Sequence, residues 1–123
     1  MNISVLMGKT LTEIKNKDNE ELLFFVSDGE VYRMYHEQDC CESVMVEEII
    51  GNLDDLLHSE ILMAEEVTNE GESEWASQTW TFYKLATVRG YVTIRWLGES
   101  NGFYSESVDF ELCSPDEVND GSL

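Results

Sequence analysis

Between His36 and Glu42 the chain reads His-Glu-Gln-Asp-Cys-Cys-Glu, an imidazole and two thiols among three carboxylates. Imidazole nitrogen and thiolate sulfur are ligands of zinc, and a carboxylate oxygen can complete a tetrahedral set. His36, Cys40 and Cys41 are therefore candidate metal ligands, with His58, 17 residues beyond Cys41, as a fourth and Cys113 more remote. The spacing departs from the standard patterns, with no Cys-x-x-Cys, and adjacent cysteines rarely share one ion. No His-Glu-x-x-His is present to supply a general base, so a zinc held here reads as structural rather than catalytic. The alternative is one cysteine buried as a small apolar residue and the other exposed. A Cys–His nucleophile has the right residue types. Asp39 and Glu42, however, disfavour the thiolate it would need.

The second set is carboxylates. Asp54, Asp55, Glu60, Glu65, Glu66, Glu70, Glu72 and Glu74 fall within one short span. A folded array of carboxylates can enter a groove built for phosphates and exploit the same counterion release. Attraction to any Lys/Arg-rich surface asks for the same composition, and a solvated acidic surface that keeps a small protein soluble is the plain alternative. The pairs Asp54-Asp55, Glu65-Glu66 and Glu47-Glu48 have the oxygen ligands that Mg²⁺ or Ca²⁺ takes, or the groups for acid–base work. Adjacent strand residues point to opposite faces, so Glu65 and Glu66 form no site alone. There is no calcium-loop spacing, glycine-rich phosphate loop or nucleophile elbow.

These residues sit in a strongly anionic chain. Seven Lys+Arg against 26 Asp+Glu give a formal net charge of −19 in 123 residues. From Met34 to Tyr83 there are 13 acidic residues and no Lys or Arg, and from Trp96 to Leu123 seven more acids and again no base. With 42% hydrophobic residues the chain is nevertheless that of a folded domain, not a disordered acidic tail. Such a surface repels nucleic acid and membranes and attracts cations and basic protein surfaces. Aromatic residues with few bases nearby exclude a base-stacking platform; Trp75, outside the clear alternation, is a candidate interface anchor. The start lacks a signal peptide's basic and long apolar regions, no apolar run spans a bilayer, and three cysteines make no disulfide framework. The expectation is a cytosolic protein with reduced thiols.

The elements that must hold these groups are mostly strands. Thr10–Lys15, Leu22–Val26 and Val31–Tyr35 come first, and Asp28-Gly29 between the last two predicts a type I′ hairpin. Val44–Ile50 fits strand or helix, and Gly51 breaks it. Asn52 caps a short helix whose first turn carries Asp54 and Asp55. Ile61–Thr68 is a further strand, and 69–74 an acidic loop. Ser77–Thr87, Tyr91–Leu97 and Phe103–Leu112 alternate with period 2, joined by turns at Arg89-Gly90 and 98–102. The last strand has Glu106 as the polar exception on its apolar face. The period-2 pattern buries one face and wets the other. The predicted fold is α+β: a twisted antiparallel sheet of five to seven strands, a meander, packed with one or two short helices. Residues 1–113 form one domain and 114–123 a flexible acidic tail.

Tyr35-His36-Glu37-Gln38-Asp39-Cys40-Cys41-Glu42-Ser43-Val44, the segment Ile61–Thr68, and the run from Trp80 to Thr87 through Gly90–Trp96 to Gly98–Phe110 together resemble a domain of unknown function found in bacteriophage and prophage genomes. The resemblance covers Thr10 to Leu112 and is most specific around the paired cysteines. It implies phage origin and carries no activity. By analogy with other small acidic phage proteins, it implies an inhibitor of host defence of the anti-CRISPR kind, with a Cas nuclease as target. The expectation is a non-enzymatic protein that binds a basic surface of a host nucleic-acid-binding protein in the host cytosol. It touches neither nucleic acid nor membrane directly. The alternative is a zinc-binding domain using His36, Cys40 and Cys41. A third reading, sequestration of a nucleotide signal, requires Lys84, Arg89 and Arg95 to converge.

Overall fold

The computed structural model describes residues 1–72 and 76–113. Glu74, Trp75 and the segment 114–123, all singled out above, lie outside the described residues. Eight strands form two four-stranded antiparallel sheets. The first sheet has the order β1 (Leu11–Lys17), β2 (Glu21–Val26), β3 (Val31–Tyr35), β8 (Asp109–Leu112). The second has β4 (Ser43–Ile50), β7 (Gly90–Ser100), β6 (Ser77–Thr87), β5 (Met63–Glu72). The helical content is two single 3₁₀ turns, Ile3–Leu6 and Leu53–Leu56. The expected antiparallel β architecture with short helices is present, with the strands divided over two sheets instead of one meander. No helix among the described residues is long and apolar enough to cross a membrane.

One core joins the sheets. Leu22, Phe24 and Met34 from the first meet Tyr83, Leu85, Ile94 and Trp96 from the second, with Ile3, Leu6 and Leu56 of the 3₁₀ turns among them. Trp96 is fully buried, and its indole Nε1 donates to Met34 Sδ at 3.2 Å, which satisfies its only polar atom. Phe110 stacks on Tyr32 and sets its edge against Phe24, tying β8 to the first sheet.

The hairpin turns differ from expectation. Asp28 does not take positive φ; Gly29 does, at 97°, and its N–H donates to Val26 O. This is a turn with one left-handed glycine followed by a bulge, not type I′. The consecutive left-handed pair that a type I′ turn needs sits instead at Asp18 and Asn19, between β1 and β2. Asn16 and Asn19 hold it by exchanging two 2.8 Å hydrogen bonds. That turn touches the second sheet, where Val46 N–H donates to Asn19 O.

Residues 69–72 of the expected 69–74 loop are strand instead, because β5 stays paired with β6 as far as Glu72–Ser77. The expected turn at 98–102 is later too, because β7 runs to Ser100. The strand predicted from Phe103 shrinks to Asp109–Leu112. Residues 101–108 are the crossover between sheets, and Phe103 on it is 87% exposed.

Candidate functional site

The segment after β3 closes on Glu42. This carboxylate is buried and accepts from His36 Nε2 at 2.9 Å, Gln38 Nε2 at 3.1 Å, and the backbone N–H groups of Asp39 and Cys40 at 3.0 and 2.9 Å. The hydrogen bond from His36 foremost, with those from backbone N–H groups of Cys40 and Asp39, outweighs burial and holds the Glu42 carboxyl down at about 2. The other His36 nitrogen, Nδ1, lies 2.8 Å from Ser107 O, so the ring links Glu42 to the crossover. Gln38 Nε2 also donates to the carbonyl of Glu42 at 2.6 Å.

His36, Cys40 and Cys41 lie together on this segment, apart from His58 and Cys113. Both His36 nitrogens have acceptors, and the sulfurs of Cys40 and Cys41 lie within bonding distance of each other. His58 and Cys113 lie at the far end of the first sheet: their N–H groups donate to Leu11 O and Val31 O, whereas His36 follows Tyr35, paired with Glu21. Among the described residues no three His, Cys, Asp or Glu side chains converge to hold a metal ion.

The acidic span is split along the second sheet. Asn52 Oδ1 accepts from Asp54 N–H at 2.9 Å, as a cap should, which fixes Asp54 and Asp55 in the 3₁₀ turn. A Cβ on Gly90 would meet the Asp55 carboxylate at 2.7 Å, so Asp55 sits at the β6–β7 turn. Glu60 bridges to Thr10. Glu70, paired with Thr79, and Glu72, paired with Ser77, lie toward the opposite end of β6. Between them Glu66 faces inward with Tyr83, and Glu65 faces outward with Lys84. Glu65, Glu66 and Glu70 are exposed, and β5 is the outermost strand of its sheet.

The bases are spent elsewhere. Lys9 pairs with Asp28 and Glu30, Lys17 with Glu21, Arg33 with Glu21 and Glu111. Arg95 meets both Glu47 at 3.0 Å and Glu48 at 2.6 Å. Adjacent strand residues reach one cation because a bulge between Val46 and Glu48 turns both to the same side. Arg89 donates to Leu57 O. Arg89 and Arg95 are thereby engaged, and Lys84 stands across from Glu65. Two inward residues carry chemistry that their sequence neighbourhoods barely signal: Tyr83, and Glu106, visible only as the polar exception in an apolar alternation.

No curated protein and no solved structure matches the chain. Residues 4–110 match the family model described as a domain of unknown function, DUF7448. The chain therefore belongs to the DUF7448 family.

Proposed function

We propose that this protein is a non-enzymatic binding module that docks through the β5 edge onto a Lys/Arg-rich surface of another protein. The observation that carries the reading is the division of charge. Lys9, Lys17, Arg33 and Arg95 are held in internal ion pairs, while Glu65, Glu66 and Glu70 stand exposed on the outermost strand with no ion pair among the described residues. Unpaired like charges on one edge steer a basic partner to that edge and speed its arrival. The phage setting implied by the sequence resemblance suggests the partner class: a host nucleic-acid-binding defence protein, a Cas nuclease among them, met in the cytosol of an infected cell. Its phosphate-binding groove presents the required bases.

The test is capture from host lysate on immobilised protein, eluted by a salt gradient. The expected result is a nucleic-acid-binding protein that leaves at moderate salt and is displaced by added DNA. Glu65→Lys, Glu66→Lys and Glu70→Lys together lower its affinity by more than about tenfold with the fold intact. Capture that survives the triple reversal overturns the reading.

A further inference from the structure

The outer face of the second sheet is the side turned away from the core, and such a face is ordinarily polar. This one is apolar at its centre. Along β6, Thr81, Tyr83 and Leu85 are buried, while Trp80 and Phe82, which alternate with them, point outward and stay partly exposed. The register sets Met45, Leu97 and Trp80 in one row across β4, β7 and β6. It sets Arg95, Phe82 and Val67 in the next row across β7, β6 and β5. Side chains directly opposite on one face lie about 5 Å apart at Cβ, so Met45, Leu97, Trp80, Phe82 and Val67 form one patch.

Single exposed apolar residues are normal on a surface, whereas a contiguous set rimmed by polar groups marks an interface. Met45 and Val67, at the two ends of the patch, are 38% and 39% exposed. Arg95 lies within it, its guanidinium 5.4 Å from the centre of the Trp80 ring and paired with Glu47 and Glu48. It therefore adds aliphatic surface and no free cation. Aromatic residues, Met and Arg are the types enriched at the centres of protein interfaces.

The rim decides the occupant. Glu47 and Glu48 border the patch on β4, Glu65 on β5, and Glu99 follows Leu97 along the same face of β7, across from Gln78. Against them stand Arg95 and Lys84. A second copy would bring the same acids against themselves, at a net −19 per chain. The chain's own end, 114–123, carries Asp116, Glu117 and Asp120 and no base. Nucleic acid and anionic membranes meet the same repulsion.

We propose that the outer face of the second sheet docks a protein surface with an apolar centre ringed by Lys or Arg, with Trp80 and Phe82 as its anchors. The proposal rests on the docking reading for the partner's charge, and it carries the footprint from the β5 edge across β6 and β7 to β4.

The probes are blocked peptides. The first is Lys-Lys-Arg-Leu-Phe-Leu-Arg-Lys-Lys. The second replaces its centre by Ser-Ser-Ser, and the third replaces every base by Glu. Amide chemical shifts of the full chain are followed by NMR. The first peptide should give saturable shifts centred on Met45, Val67, Trp80, Phe82 and Leu97, and the other two should bind at least about tenfold more weakly. Met45→Thr with Val67→Thr, both at exposed strand positions that suit Thr, should weaken the first peptide by about threefold to tenfold. Val88→Thr, in the exposed β6–β7 turn and outside the patch, should leave it unchanged.

No saturable shift on this face, equal binding of the Ser-centred peptide, or unchanged affinity in the double variant overturns the proposal. So does movement of the same five amides when the protein alone is concentrated, because that assigns the face to a second copy. If the first peptide binds as expected and capture from lysate survives the Glu65, Glu66 and Glu70 reversal, docking through the β5 edge fails and the face stands. If that reversal abolishes capture while the double variant changes neither capture nor peptide binding, the face fails and the edge reading stands.

Discussion

Glu42 does for the 36–43 segment what a hydrophobic anchor does elsewhere, through hydrogen bonds. Its carboxyl is held at about 2 against an ordinary 4.5. A depressed carboxyl contributes stability that is full above the ordinary value and is lost as pH falls from there toward 2. Protonation of the exposed carboxylates works the other way by relieving repulsion, so the informative quantity is a difference. The gap in Tm between the wild type and Glu42→Gln should hold constant from neutral pH down to about 4.5 and then shrink toward pH 2. A gap that ignores pH would mean that Glu42 matters for shape and not for charge. In the sequence, Glu42 figured only as an anion that discourages a nearby thiolate. Residue types singled out His36, Cys40 and Cys41 as candidate metal ligands. They could not reveal that His36 would bond Glu42 on one side and a carbonyl from residue 107 on the other, because that neighbour arrives through the fold.

The strands themselves were legible. Alternation, an apolar run and a turn signal together marked strands at 10–15, 22–26, 31–35, 77–87 and 91–97, close to Leu11–Lys17, Glu21–Val26, Val31–Tyr35, Ser77–Thr87 and the central part of Gly90–Ser100, where Val92, Ile94 and Trp96 are buried. Alternation says which side of a strand is buried and nothing about which strand lies beside it. The division into two sheets, with β8 returning to β3, was therefore invisible. The same limit explains the overlong last strand. Residues 103–108 alternate like a strand, yet Glu106 at an inward position is tied to Thr79 and Ser100 and pins a crossover instead.

Gly98 is what lets that crossover approach. A Cβ there would come within 2.6 Å of Glu106 O, a backbone atom with no easy retreat. Gly98→Ala should cost about 1–3 kcal/mol, the usual penalty of overpacking, seen as a lower denaturant midpoint with unchanged slope. Gly71→Ala in β5 has open space around the new methyl and no positive φ, so it should be neutral or slightly stabilising. Equal effects at the two sites would contradict the close approach.

At the scale of the molecule, net charge dominates. A formal −19 with few internal counter-charges repels itself in the compact state, and salt screens that repulsion. Tm should rise between low ionic strength and about 0.5 M NaCl; a flat or falling Tm would show that the ion pairs of Lys9, Arg33 and Arg95 outweigh the repulsion.

The long outer strand has a further consequence. An uncovered sheet edge is a template on which another copy of the same chain can add its own strand, the first step toward aggregation. On β5 the most central antiparallel registers of such self-pairing would set Glu65 or Glu66 opposite Glu70 of the other copy, and like charges placed directly opposite destabilise a strand pair. The ten-residue edge is thereby guarded against its own kind, with no covering loop, proline or bulge among the described residues.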